Sequence, residues 1–97
     1  MQAAHAWFQS GGDWWYAMSY CSNLNIGGFT GWFLPSISEL QLMRQNIYLR
    51  GLGGFIGWYW SSTEFNDDVA WEFNFSSGGA TEYWKDYGNR ARPIRRF

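Results

Sequence analysis

The sequence predicts an α+β domain, two helices followed by a set of short antiparallel strands, on three observations. Two segments, from Trp14 to Asn25 and from Ser36 to Tyr48, place apolar side chains at helical spacing behind capping residues. In the stretch YWSSTEFNDDVAWEFNF, residues 59–75, Val69, Trp71, Phe73 and Phe75 alternate strictly with Ala70, Glu72 and Asn74, the period of a half-buried strand. Turn-type residues at 76–79 and 86–89 then cut the remaining chain into short extended runs. Helices first and a cluster of strands after define the class.

Taken in order, Ala3 to Phe8 reads as an opening strand with His5 and Trp7 on one face. Gly11-Gly12 reads as a turn, and Asp13 as the N-cap of the first helix. Trp14, Ala17, Met18, Cys21 and Leu24 form that helix's buried arc, and Gly27-Gly28 ends it. A brief apolar run, Phe29 to Leu34, stops at Pro35. Ser36 and Glu39 fit a capping box, with Leu40, Met43 and Ile47 as the buried stripe of the second helix. Residues 51–57, GLGGFIG, form a flexible connection; no Lys-Ser/Thr follows and no helix opens there, so it lacks the features of a phosphate loop. In the central strand the Val69, Trp71, Phe73, Phe75 phase faces the core and the Ala70, Glu72, Asn74 phase faces solvent. Ala80 to Lys85 makes a further strand and Ala91 to Phe97 a closing one, with Pro93 at an edge or a bulge.

The totals bound the rest. A chain of 97 residues makes a single domain and buries about 60–68% of its unfolded surface. Its 8 Trp, 8 Phe and 6 Tyr supply large buried area per residue and also suit a recognition surface. One cysteine, Cys21, excludes an internal disulfide and a zinc site built on cysteine pairs, and reads as a small buried hydrophobe. A net charge of −1 gives no reason to expect nucleic acid as a partner. No apolar run reaches transmembrane length and no signal peptide opens the sequence, so no membrane insertion is expected. Six of the eight carboxylates fall between Glu64 and Asp86, and five of the seven cations lie at Lys85, Arg90, Arg92, Arg95 and Arg96. Pairing between these neighbouring blocks is the expected arrangement.

The motifs GWFLPSISEL (31–40), YWSSTE (59–64), Ala70-Trp71, Asn74-Phe75, Gly78, Lys85 and RARPIR (90–95) occur in an order that resembles the C-terminal domain of a bacterial collagen-like adhesin, a C-type-lectin-like family. The likeness runs from Trp14 to the end; Gly31 and Phe33 depart from the Asp and Arg usual at that corner. A narrower resemblance is to the variable proteins of diversity-generating retroelements, which carry this framework near their C-termini and are rewritten at template adenines. That resemblance implies a framework of Tyr59 to Glu64, Ala70, Trp71, Asn74, Phe75, Gly78, Lys85 and residues 90–97. The positions it leaves free for ligand binding are Phe65, Asn66, Asp68, Val69, Glu72, Ser76, Ser77, Gly79, Ala80, Thr81, Glu82, Tyr83, Trp84, Asp86, Tyr87 and Gly88. Glu72, Glu82 and Trp84 cannot arise from Asn codons by adenine changes, so they need other template codons or fixed positions.

The expected function is therefore a binding module with a variable, solvent-facing site. Phe65, Tyr83, Trp84 and Tyr87 act as aromatic anchors, and Asp68, Glu72, Glu82 and Asp86 give polar selectivity. A protein is the expected ligand; the sequence leaves the oligomeric state open and is compatible with a monomer. The alternative is an adhesin or fibre-tip domain binding glycans through a fixed surface, in one form polyanionic glycans through Arg90, Arg92, Arg95 and Arg96. The resemblance implies display on a cell surface or virion. Calcium-dependent sugar binding is not expected, because the Glu-Pro-Asn, Gln-Pro-Asp and Trp-Asn-Asp signals are absent; no metal or cofactor is called for. An enzyme is not expected either. The related formylglycine-generating oxidases need a cysteine pair, and a lone His5 supports no nucleophile–base arrangement.

Overall fold

Both helices form where capping chemistry places them. In the computed structural model, which describes residues 2–4 and 10–95, helix α1 spans Trp14–Asn23 and helix α2 spans Ile37–Asn46. The Asp13 carboxylate accepts from Tyr16 N at 2.8 Å and caps α1. Ser36 Oγ accepts from Glu39 N, and Glu39 Oε1 accepts from Ser36 N at 3.0 Å, the reciprocal box expected for α2. Helix α1 stops two residues short of Asn25, with Leu24 as its C-cap in extended backbone.

Among the described residues, eight strands form two sheets. The short strands β1 (Gln2–Ala3), β3 (Trp32–Phe33) and β8 (Ile94–Arg95) make one, in the order β1-β8-β3. The larger sheet comprises β2 (Ser10–Gly12), β4 (Trp58–Glu64), β5 (Val69–Asn74), β6 (Ala80–Trp84) and β7 (Asn89–Ala91), ordered β2-β7-β4-β5-β6. The expected opening strand is described only at Gln2–Ala3; His5, Trp7 and the rest of 5–9 lie outside the described residues, as do Arg96 and Phe97. The expected closing strand is two strands. Arg92-Pro93 separates β7 from β8 and moves the chain from one sheet to the other, because proline cannot donate to a continuing ladder.

Two expectations need correction. Gly11-Gly12 is not a turn but the end of β2, paired with Arg90 and Asn89. Gly12 takes φ of 148°, and a Cβ there would lie 2.9 Å from the Tyr16 ring, so glycine lets the strand pass against α1. The Ala70, Glu72, Asn74 phase of β5 does not face solvent. Ala70 is fully buried and Glu72 is only 9% exposed. Both faces of the large sheet carry a core. On one, Trp60 and Ala70 pack with Trp14, Ala17 and Cys21 of α1. On the other, Tyr59, Phe73 and Phe75 pack with Leu40 and Met43 of α2, with Phe55 and with Ile94. An alanine in the polar phase of a strand marks a place where a helix comes close, which alternation alone does not reveal.

Burial raises the Cys21 thiol to about 12. Because the folded value is the raised one, this contribution to stability is intact below the ordinary thiol value, about 8.5. It is lost as pH rises from there toward about 12. Two results are expected: native Cys21 resists a thiol reagent at pH 8 until the chain unfolds, and the denaturation midpoint falls above pH 9 less steeply in Cys21→Ala than in the parent.

Candidate ligand-binding surface

The YWSSTE motif builds the support beneath the candidate surface. Register between β4 and β5 holds from Trp58↔Asn74 to Trp60↔Glu72, then shifts, resuming at Glu64↔Ala70. The residues between form a bulge, whose backbone groups need partners outside the ladder. Ser61 supplies them: its hydroxyl donates to Trp71 O at 2.6 Å and accepts from Thr63 N at 3.2 Å. Ser61 O accepts from Trp14 Nε1 at 2.8 Å, and Thr63 Oγ1 accepts from Ile37 N at 3.1 Å. The small hydroxyl residues thus anchor the bulge to both helices. Ser61→Ala is expected to destabilise the fold by about 1–3 kcal/mol, since it leaves buried backbone groups unsatisfied; urea titration measures it.

Lys85 fastens the two loops at the end of the sheet. Its side chain is 2% exposed, and its Nζ donates to Glu64 Oε2 at 2.8 Å and to Asp67 O at 3.1 Å, lying 4.3 Å from the Trp14 ring centroid. Lys85 N donates to Asp68 O, and Trp14 N to Lys85 O. The 65–68 loop and the 85–88 loop are therefore held side by side above α1.

Twelve of the sixteen free positions are exposed: Phe65, Asn66, Asp68, Ser76, Ser77, Gly79, Thr81, Glu82, Trp84, Asp86, Tyr87 and Gly88. Val69, Ala80 and Tyr83 are half-buried, and Ala80 packs against the α2-side core. Glu72 is the exception. Its Oε1 accepts from Asn89 Nδ2 at 2.8 Å and its Oε2 from Thr81 Oγ1 at 2.9 Å, so it ties β5 to its neighbours and offers no charge to solvent. Asn66 is exposed, yet its amide oxygen accepts from Asp68 N and Val69 N, both at 2.8 Å, and shapes the loop.

These positions do not form one patch. Ser76, Ser77 and Gly79 lie in the β5–β6 turn beside Arg44, which donates to Phe75 O and Ser76 O. The six-residue strand β5 puts that turn roughly 20 Å from the two loops at the other end. At the loop end, Phe65 and Trp84 stand more than half exposed, and Phe65 meets Trp71 edge-on at 6.1 Å. Val69, Glu82, Tyr83 and Trp84 line a cavity of about 280 Å³. On the opposite face, Tyr83 contacts Trp60 at 5.6 Å and Tyr87 at 5.4 Å.

Among the described residues, Arg90 and Arg95 form no ion pair with the acidic block, contrary to the expected pairing. Arg90 donates to Ile56 O, and Arg95 to Thr30 O and Gln2 Oε1. Arg92 is 1% exposed, donates to the carbonyls of Ala4, Gly53 and Gly54, and lies 4.3 Å from the Phe55 ring centroid. Its burial lowers its pKa, opposed by Tyr59. A binding surface of all four closing arginines is therefore excluded. The ion pair found among the described residues is Lys85–Glu64. Reading by sequence also passed over the polar arc of α1. Tyr16 and Tyr20 stack there at 6.2 Å, and with Ser19, Asn23, Leu24 and Asn25 they line a second cavity of about 300 Å³. Two tyrosines four apart and off the buried arc were the available signal. Burial, then Cys21 and Tyr16, raises the Tyr20 phenol above its ordinary value.

Two helices set against mostly antiparallel strands, with a braced loop end carrying exposed aromatics, describe a C-type-lectin-like domain. The chain belongs to the Lcl C-terminal domain family, whose model matches residues 1–95. No curated protein matches the chain.

Proposed function

We propose that this lectin-like module binds a protein ligand, without catalysis, through the loop end of its large sheet. In this reading it is the variable protein of a diversity-generating retroelement. The observation that carries it is a separation of roles: Tyr59 to Ser61 are buried, Ser62 and Thr63 lie half-buried in the bulge and Glu64 holds Lys85, while twelve of the sixteen free positions are exposed. Substitution at exposed positions away from special structure changes stability by about 0.5 kcal/mol or less, the tolerance a rewritten site needs. Phe65, Trp84 and Tyr87 are rigid aromatic anchors held over a braced base.

The DNA beside the gene tests the retroelement. It is expected to encode a reverse transcriptase and a near-copy of codons 57–97 whose mismatches fall at template adenines, within 65–69 and 76–88 and sparing codon 72. Absence of a copy makes the surface a fixed one. Binding is tested with ligands selected from a displayed library of folded domains. Phe65→Ala and Trp84→Ala are expected each to weaken them by about 2 kcal/mol or more. Ligands indifferent to both changes would remove the site from this end of the sheet.

A further inference from the structure

We propose that the open edge of β6 takes up an extended, cationic peptide segment of the ligand as a sixth strand, with an arginine or lysine of that segment held between Glu82 and Trp84. This rests on the reading of the loop end as the ligand-binding surface and names the chemistry that surface selects.

The edge follows from the register. Strand β6 ends the five-stranded sheet and pairs only with β5 among the described strands. Asn74 N donates to Gly79 O and Lys85 N to Asp68 O, so the backbone groups of Gly79, Thr81, Tyr83 and Lys85 point toward β5. Those of Ala80, Glu82 and Trp84 point away. Trp84 O accepts from Tyr87 N in the following turn. That leaves the N–H and C=O of Ala80, the N–H and C=O of Glu82 and the N–H of Trp84 presented in a row, the groups an added strand needs.

The side chains choose the occupant. Glu82 and Trp84 project from the same face of β6 and, with Val69 and Tyr83, line the cavity of about 280 Å³. A carboxylate beside an exposed indole is a receptor for a guanidinium or ammonium group, which pairs with one and stacks on the other. Five carboxylates, Glu64, Asp67, Asp68, Glu82 and Asp86, lie at the loop end of the sheet with one cation, Lys85, which is buried and paired with Glu64; Glu72 is engaged by Thr81 and Asn89, and the Arg44 guanidinium stands at the other end, beside Gly78. A second copy of the chain is disfavoured: antiparallel pairing of two β6 edges about Glu82 sets the two Glu82 carboxylates directly opposite, where like charges destabilise. The same opposition becomes attraction when the facing residue is cationic.

In such a ladder the residue facing Glu82 exchanges backbone hydrogen bonds with it, so the cationic residues of the peptide are also its donors to the edge. The probe is an acetylated, amidated heptapeptide alternating threonine and arginine, titrated by calorimetry. It is expected to bind the parent at least about tenfold more tightly than the threonine–glutamate version, and Glu82→Lys is expected to remove that preference. N-methylation at the arginines should abolish binding, whereas N-methylation at the threonines should leave it within about twofold, since only one set of N–H groups meets the edge. Equal affinity for the two peptides, or equal loss from both methylation patterns, overturns the proposal. So does failure of the arginine peptide to bind while folded-domain ligands lose affinity in Trp84→Ala, a result that leaves the ligand-binding surface standing. Failure of both ends both readings.

Discussion

Arg92→Met is expected to lower the unfolding free energy by about 3 kcal/mol, a large part of the roughly 5–15 kcal/mol that holds a domain of this kind folded. The guanidinium is almost fully buried, and its donors reach the carbonyls of Ala4, Gly53 and Gly54. Hydrogen bonds from a charged donor contribute about 1.5–3 kcal/mol each, less what burial of the charge costs. Methionine keeps an apolar stem over Phe55 and so isolates the loss of the fork. Arg92→Lys keeps the charge but not the planar fork, and is expected to lose most of the same stability. Urea titration with an unchanged slope measures both; a loss below about 0.5 kcal/mol in Met would mean the loop carbonyls find water instead. The effect falls on residues 51–57, which have no helix or strand of their own and are held to the closing segment by this side chain.

That dependence explains which parts of the fold were legible. Caps are local: Asp13 and Ser36 each act within three residues, and both helices begin where those residues predicted. The alternation of residues 69–75 and the turn after it predicted β5 and β6, whereas β4, Trp58–Glu64, breaks its ladder at a bulge and carries no such alternation. What a one-dimensional pattern cannot carry is a partner far away in sequence. Gly11-Gly12 reads as a turn until β7 pairs with it, and Arg92 reads as a partner for the acidic block until Gly53 and Gly54 arrive beside it. Ala70 and Glu72 occupy the phase that faces water in a one-sided sheet, and only the approach of α1 makes that face a second core.

The exposure of the candidate positions was legible in outline for the same reason. Positions in turns and on the outer strand β6 were placed outside by local signals, and most are exposed. Codon arithmetic flagged Glu72, Glu82 and Trp84 alike, and burial divides them. Glu72 is bound on both oxygens by Asn89 and Thr81, whereas Glu82 and Trp84 stand at the open edge. Glu72 therefore belongs with the framework. The distance between the β5–β6 turn and the two loops had no local signal, since strand length sets it.

Trp60 joins the framework to that surface, and its removal is expected to have the largest effect. The indole is fully buried against α1, and its Nε1 donates to Gly12 O at 3.0 Å, tying β4 to a strand that lies outside the central meander. Truncation of a buried tryptophan to alanine costs about 3–5 kcal/mol, through lost apolar area and the cavity left behind. In a 97-residue domain each kcal/mol corresponds to a Tm shift of about 4–8 °C, so Trp60→Ala is expected to lower Tm by at least about 12 °C. Trp60→Phe separates the two contributions. It keeps most of the ring contact but removes the donor to Gly12, and is expected to cost about 1–2 kcal/mol. Tyr83 rests on the Trp60 ring at 5.6 Å and Tyr87 on Tyr83 at 5.4 Å, whereas Trp84 projects from the other face of β6. Trp60→Phe should therefore weaken ligands that engage Tyr83 and Tyr87 more than those seated between Glu82 and Trp84. Equal loss for both kinds would mean that the core acts on the whole end of the sheet and not through the tyrosine face.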